Sequence, residues 1–322
     1  MRPVRTSLAG ALLGVLALAG CGQSSTGGTP QGNATTASGT PSAASPEAGA
    51  FPVTVEAGNG SVTIAKRPER IVSLSPSATE SLFAIGAGSQ VIAVDDQSNH
   101  PAEAPKTDLS GFKPNVEAIV EQKPDLVVLA NDIEGIVAKL AKLNVPVLLE
   151  PAATKLDEAY DQIADLGEAT GNSANAQEVV TGMKQKIDEA VAAAPKDKKL
   201  SFYHELDVTP YSVTSTTFIG QVYALFGLTN IADKAPDLAG GYPKLSAEFI
   251  AQADPDLIFL GDTKCCGQNK DTLAKRPGWS GLSAIKNDRV VELDDDIASR
   301  WGPRVADLAQ QVGAAVQQAA AG

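Results

Sequence analysis

One unit that occurs twice constrains this chain more than anything else in it. Glu117 is followed, after six residues, by Pro124-Asp125-Leu126 and the apolar run Val127-Val128-Leu129. In the second half, Glu248 is followed after six residues by Pro255-Asp256-Leu257 and Ile258-Phe259-Leu260. The spacing puts each glutamate at the start of a short helix that feeds a buried strand. A carboxylate there gains about a few tenths of a kcal/mol from the helix dipole. The two copies lie too far apart for a solenoid. The reading is a pair of duplicated lobes, each built around a helix-to-strand step.

The rest of the body fits that plan. Phe51–Val55 and Ser61–Ile64 flank Gly58-Asn59-Gly60 and read as a hairpin. Arg70–Leu74 is a strand, and Ser75-Pro76-Ser77 ends it and opens a helix that closes at Gly86 and Gly88. Strands follow at Val91–Val94, Asp125–Leu129, Val145–Leu149, Leu200–Tyr203 and Arg289–Leu293, alternating with helices. Such alternation predicts parallel sheets of the α/β class. Ala174–Ala194 carries apolar residues at Val179, Val180, Met183, Ile187 and Val191 and stops at Pro195. A helix of that length spans about 30 Å, enough to cross from one lobe to the other. The expected organisation is a leader over 1–20, a tether over 21–50, a first lobe over 51–172, a bridging helix over 173–195 and a second lobe over 196–322.

The N-terminus reads as an address and an anchor. Arg2 and Arg5 precede a short apolar stretch, Leu8 to Leu18, that is about half the ~20 residues of a spanning helix. Leu18-Ala19-Gly20-Cys21 resembles a bacterial lipobox, which implies cleavage before Cys21 and its lipidation. Residues 22–50 are Gly, Ser, Thr, Ala, Pro and Gln apart from Asn33 and one charge at Glu47, a composition that cannot bury a core. The body is expected on the extracytoplasmic face of a bacterial membrane, held there only by its lipid.

The formal net charge of −12 argues against nucleic acid as a partner, since phosphate binding needs a basic face. His100 and His204 are the only histidines, too few for a His-rich metal centre, and no resident metal or cofactor is expected. Ser283 and Lys286 match the Ser-x-x-Lys of penicillin-binding enzymes, but the companion signatures are missing, as are a nucleophile elbow, a zinc-protease helix and a Walker loop. An enzyme is therefore not expected.

The segment Arg67-Pro68-Glu69-Arg70 through Ser75-Pro76-Ser77-Ala78-Thr79-Glu80, the two glutamate units and the bridging helix together resemble the iron–siderophore/cobalamin substrate-binding proteins of ABC importers. The resemblance covers roughly residues 66–318 of the sequence. It implies the class III periplasmic-binding-protein fold: two Rossmann-like lobes joined by a long rigid helix, with the ligand held between them. It implies that Glu117 and Glu248 dock onto an ABC permease dimer. It also implies transport of a ferric siderophore, a cobalamin or other corrinoid, or haem. A haem-binding protein, or a sensor or scavenger without a permease, is the alternative.

Open α/β sheets place their sites at strand C-terminal ends. The candidate ligand residues there are Ser75, Gln97, His100 and Phe112 in the first lobe. In the second they are Tyr203, His204, Tyr211, Phe218, Tyr242, Asp296, Arg300 and Trp301. By similarity to cobalamin-binding members, Asp296 and Arg300 fall on ligand-contacting positions. Arg304 and Trp279 read as structural, and Asp294-Asp295-Asp296 as a solvated acidic turn. With Cys21 lipidated, Cys265 and Cys266 have only each other. The compartment favours a vicinal disulfide. Their α-carbons, about 3.8 Å apart, make such a bond strained, so two free thiols are the alternative.

Overall fold

The structure is a computed structural model and describes residues 51–321. The leader, Cys21 and the tether lie outside the described residues. Strands β1 (Val53–Ala57) and β2 (Gly60–Ile64) form the expected hairpin. The first lobe then follows with β3 (Ile71–Leu74), α1 (Pro76–Ala84), β4 (Val91–Asp95), β5 (Lys106–Leu109), α2 (Val116–Glu121), β6 (Leu126–Leu129), α3 (Ile136–Ala141) and β7 (Val147–Leu149). Its five strands pair in the order β5-β4-β3-β6-β7, all parallel. Two helices leave this sheet, α4 (Leu156–Thr170) and α5 (Ser173–Ala193).

The second lobe runs β8 (Ser201–Glu205), α6 (Phe218–Ala224), β9 (Thr229–Asn230), α7 (Ala247–Ala253), β10 (Leu257–Leu260), α8 (Thr263–Cys266), α9 (Lys270–Ala274), α10 (Ser283–Lys286), β11 (Val290–Glu292), α11 (Asp295–Ser299) and α12 (Val305–Ala321). Its four parallel strands pair in the order β11-β10-β8-β9.

Period-two alternation sorts the strand side chains. Leu126 and Val128 of β6, with Leu257 and Phe259 of β10, face a core that runs through both lobes and takes in α5 and α12. Val127 and Leu129 face a second core on the outside of the first lobe. Ile258 and Leu260 face a third on the outside of the second. Both faces of each sheet are covered, which is why these strands read as unbroken apolar runs.

The Pro-Asp-Leu repeat now has a structural reason. The Asp125 carboxylate accepts the backbone N–H of Arg70 at 2.8 Å and so holds the start of β3, the strand beside β6. The Asp256 carboxylate accepts the N–H of Ser201 at 2.8 Å and holds the start of β8, the strand beside β10. The same residue pins the same neighbouring strand in each lobe.

Helix α5 buries Ala176, Val180, Met183 and Ile187, spaced to lie on one helical face. It packs against α4 on one side and α12 on the other. The approach to α4 is close: a Cβ on Gly167 would stand 2.4 Å from the Cβ of Ala176. A glycine in mid-helix is the condition for that contact.

Candidate functional site

The site lies where the two sheets turn their strand C-terminal ends to one another. In the first lobe, β3 ends at Ser75, which caps α1 by accepting the N–H of Ala78. Strand β4 ends at Asp95, followed by the loop that carries Gln97 and Asn99. In the second lobe, β11 leads to Asp294, which caps α11; that helix carries Asp296, and Arg300 and Trp301 follow its end.

Arg300 is the centre of the seam. Its Nη1 donates to Glu80 Oε1 at 2.8 Å and to Asn99 Oδ1 at 2.9 Å. Its Nη2 donates to the Gln97 carbonyl at 3.0 Å and to Asp296 Oδ1 at 2.6 Å. Asn99 closes the ring by donating Nδ2 to Asp296 Oδ2 at 2.9 Å. Arg304 grips Glu80 with Nε at 2.9 Å and Nη2 at 2.5 Å. Glu80 belongs to α1 and both arginines to the second lobe, so one buried carboxylate ties the lobes together. Side-chain exposure is 2% for Glu80, 10% for Arg300 and 17% for Arg304. Trp301 adds two more ties: its backbone N–H donates to Ser77 Oγ at 3.2 Å, and its indole Nε1 to Gln162 Oε1 at 3.0 Å.

These contacts set the charges. Burial by itself would raise the Asp296 acid, but the Asn99 amide, the Arg300 charge and Lys264 outweigh it and hold that carboxyl below its usual range. The hydrogen bonds to Glu80 hold Arg304 above its ordinary value. Beside Trp301 lies a cavity of about 10 Å³, room for one water-sized group, lined by Ser75, Ser77, Ser81, Gln162 and Glu150 together with Ala78, Ala159 and Leu166. Burial, with the nearby Asp165 charge adding to it, pushes the Glu150 acid up to about 8.

The structure brings together Ser75, Gln97, Asp296, Arg300 and Trp301 at this seam, Gln97 through its carbonyl. Phe112, Tyr211 and Tyr242 are exposed at 69%, 38% and 47%. Tyr211 and Tyr242 stand on two segments joined by the Tyr211–Lys244 bridge. His100 is exposed on the flank of the seam, in a cavity of about 340 Å³ that it shares with Phe83, Glu103 and Arg304.

Tyr203 is a correction. It is fully buried, its hydroxyl donates to Glu205 at 3.0 Å, and its ring packs edge-on against Trp279. Its place in the middle of β8 turns it into the outer core. His204 is likewise buried, with Nδ1 2.8 Å from the Tyr223 hydroxyl, and burial pushes its imidazole down to about 4. Phe218 is buried at the start of α6. Trp279 is buried and Arg304 is paired with Glu80. The acidic turn is not simply solvated: Lys264 Nζ sits 2.6 Å from Asp294 and 3.1 Å from Asp296. Cys265 and Cys266 are exposed, with their Sγ atoms 2.6 Å apart.

Sequence reasoning missed Glu80, Asn99 and Gln162. Glu80 stood inside the Arg67–Glu80 motif, and Arg300 and Arg304, four residues apart in the break between α11 and α12, were the signal that a shared carboxylate was needed. Asn99 and Gln162 carried no signal. Glu117 and Glu248 are exposed second residues of α2 and α7, behind the caps Asn115 and Ser246, the same position in each lobe. Among the described residues, no cluster of three or more His, Cys, Asp or Glu is placed to hold a metal ion. No helix among them is long and apolar enough to cross a membrane.

Two α/β lobes on a helical spine, meeting at a polar seam, define a solute-binding protein of the helical-backbone class. Residues 71–297 match the periplasmic binding protein family, and the chain belongs to it. It is 32% identical over 274 residues to an uncharacterised ABC transporter substrate-binding lipoprotein of Bacillus subtilis, a match covering 81% of this chain and 84% of that one. The crystal structure of the periplasmic vitamin B12-binding protein of Vibrio cholerae superposes with a TM-score of 0.65 at 26% identity, covering 78% of this chain and 98% of that one. A periplasmic haem-binding protein of Roseiflexus, at TM-score 0.69 and 24% identity over 79% of this chain and 99% of that one, shares the fold. The family comprises substrate-binding proteins of transport, not enzymes.

Proposed function

We propose that this protein is a lipid-tethered extracytoplasmic binding protein. It captures a ferric siderophore or a corrinoid between its lobes and delivers it to an ABC permease dimer. The observation that carries the reading is the meeting of Asp296, Arg300 and Trp301 with Asn99, Gln97 and Ser77 across the seam. A ligand entering there exchanges these polar contacts for its own and stacks on Phe112, Tyr211 and Tyr242. Lipid attachment at Cys21 is supported by the apolar leader before it and by the Bacillus subtilis relative, which is named a lipoprotein. Docking by Glu117 and Glu248 is supported by their matched, exposed places in the two lobes. Paired surface charges of this kind set orientation and encounter rate more than affinity.

Two measurements test it. Titration with cyanocobalamin and ferric siderophores, followed by tryptophan fluorescence, gives saturable quenching that is lost in Trp301→Phe or Arg300→Ala. Reversing both Glu117 and Glu248 to lysine abolishes uptake in cells and leaves ligand affinity unchanged. Normal uptake by that double variant refutes the docking role.

A further inference from the structure

The cations at this seam are already spent. Arg300 is paired with Glu80 and Asp296, and Arg304 with Glu80. Lys264 is paired with Asp294 and Asp296. On the floor of the second lobe, Arg276 grips Glu205 with both terminal nitrogens at 2.6 Å. Two further carboxylates stand among them without a cation. Asp295 accepts the backbone N–H groups of Lys264 and Cys265. Asp262 is fully buried with both oxygens unpartnered. Even with Asp262 counted as neutral, the carboxylates outnumber the cations. The lysines of the rim, Lys113 and Lys244, are exposed, and Lys244 lies over the Tyr211 ring at 5.8 Å from its centroid. Charges so placed are screened by solvent and salt.

We propose, resting on the capture reading above, that the site selects a ligand without net negative charge, such as a neutral corrinoid or a neutral ferric trihydroxamate. It rejects polyanions such as a ferric tricatecholate or a porphyrin dicarboxylate. A polyanion entering the seam has two courses. It can take Arg300 from Glu80, which strands a buried carboxylate. Or it can lie beside Asp294 and Asp296, where like charges repel in a partly desolvated space. A neutral ligand does neither. It exchanges hydrogen bonds with Asn99, the Gln97 carbonyl and the edge of Asp296, and covers the exposed rings of Phe112, Tyr211 and Tyr242.

The test is equilibrium binding to the full chain at low and high salt. The four probes are cyanocobalamin, a neutral ferric trihydroxamate, haemin and a ferric tricatecholate. A neutral probe binds, and its Kd moves by less than about threefold between about 50 and 500 mM NaCl. Both anionic probes bind at least about 100-fold more weakly. Asp296→Asn, which removes one seam carboxylate, tightens haemin binding by about tenfold, most at low salt. An anionic probe binding as tightly as the neutral ones overturns the charge inference and leaves the capture reading standing. Unchanged haemin affinity in Asp296→Asn overturns it too. Silence from all four probes overturns the capture reading itself, and this inference with it.

Discussion

Glu80→Gln tests the tie between the lobes. The carboxylate accepts three hydrogen bonds from two guanidinium groups, and all three side chains are more than four-fifths buried. Removing one partner of a buried ionic network costs about 3–5 kcal/mol, because charges remain without compensation. Glutamine keeps the shape and one acceptor, so the lower end applies, about 3 kcal/mol, or roughly two decades in an equilibrium constant. At about 2–4 °C per kcal/mol for a body of this size, Tm falls by about 6–12 °C. The bond crosses the seam, so small-angle scattering at temperatures well below Tm also shows a larger radius of gyration as the lobes separate. Glu117→Gln makes the same change in charge on an exposed helix end and serves as the control, with a change within about 0.5 kcal/mol. If Glu80→Gln lowers Tm no more than the control and leaves the scattering curve unchanged, the Glu80 network does not hold the lobes. Desolvation would then have cancelled the Coulombic gain.

The remaining predictions concern the two positions beside the seam and the spine. Glu150 holds its proton in the folded chain up to about pH 8, against an ordinary 4.5. The folded state therefore binds more protons than the unfolded one, and this stabilisation, complete below about pH 4.5, is lost as pH rises through 8. Glu150→Gln removes that loss, so its Tm exceeds the parent's at pH 8.5 and matches it near pH 4.5; parallel Tm-against-pH curves would contradict the assignment. Gly167→Ala gains about 1 kcal/mol of helix propensity but forces a methyl to 2.4 Å from Ala176, an overpacking that costs about 1–3 kcal/mol or more. Chemical denaturation should show net destabilisation, and a stabilised variant would mean that α4 and α5 can slide apart.

Much of the fold was legible in the sequence because it is locally encoded. The hairpin, the helix cap at Ser75 and the alternation of strand and helix each depend on residues near in sequence. The short helices α8 to α11 and the edge strand β5 were not legible, since five or fewer residues carry too little periodicity to stand out. Tyr203 and His204 show a second limit. They lie in the second half of β8, toward the end where ligand residues gather, but whether a side chain there faces the seam or the core depends on which face of the sheet the other elements cover.

The sequence by itself determined the duplicated lobes, the spanning helix and the paired glutamates at helix starts, because propensity, period and repeat are properties of the chain. It also named Asp296, Arg300 and Trp301. Only the tertiary structure decided what those residues do when the lobes meet. Glu80 and Arg300 lie 220 positions apart, and Asn99 and Asp296 lie 197 apart. No local pattern links such pairs. Their energy comes from removing charges together from water, and which charges share that dry space is settled only when the two lobes are brought together.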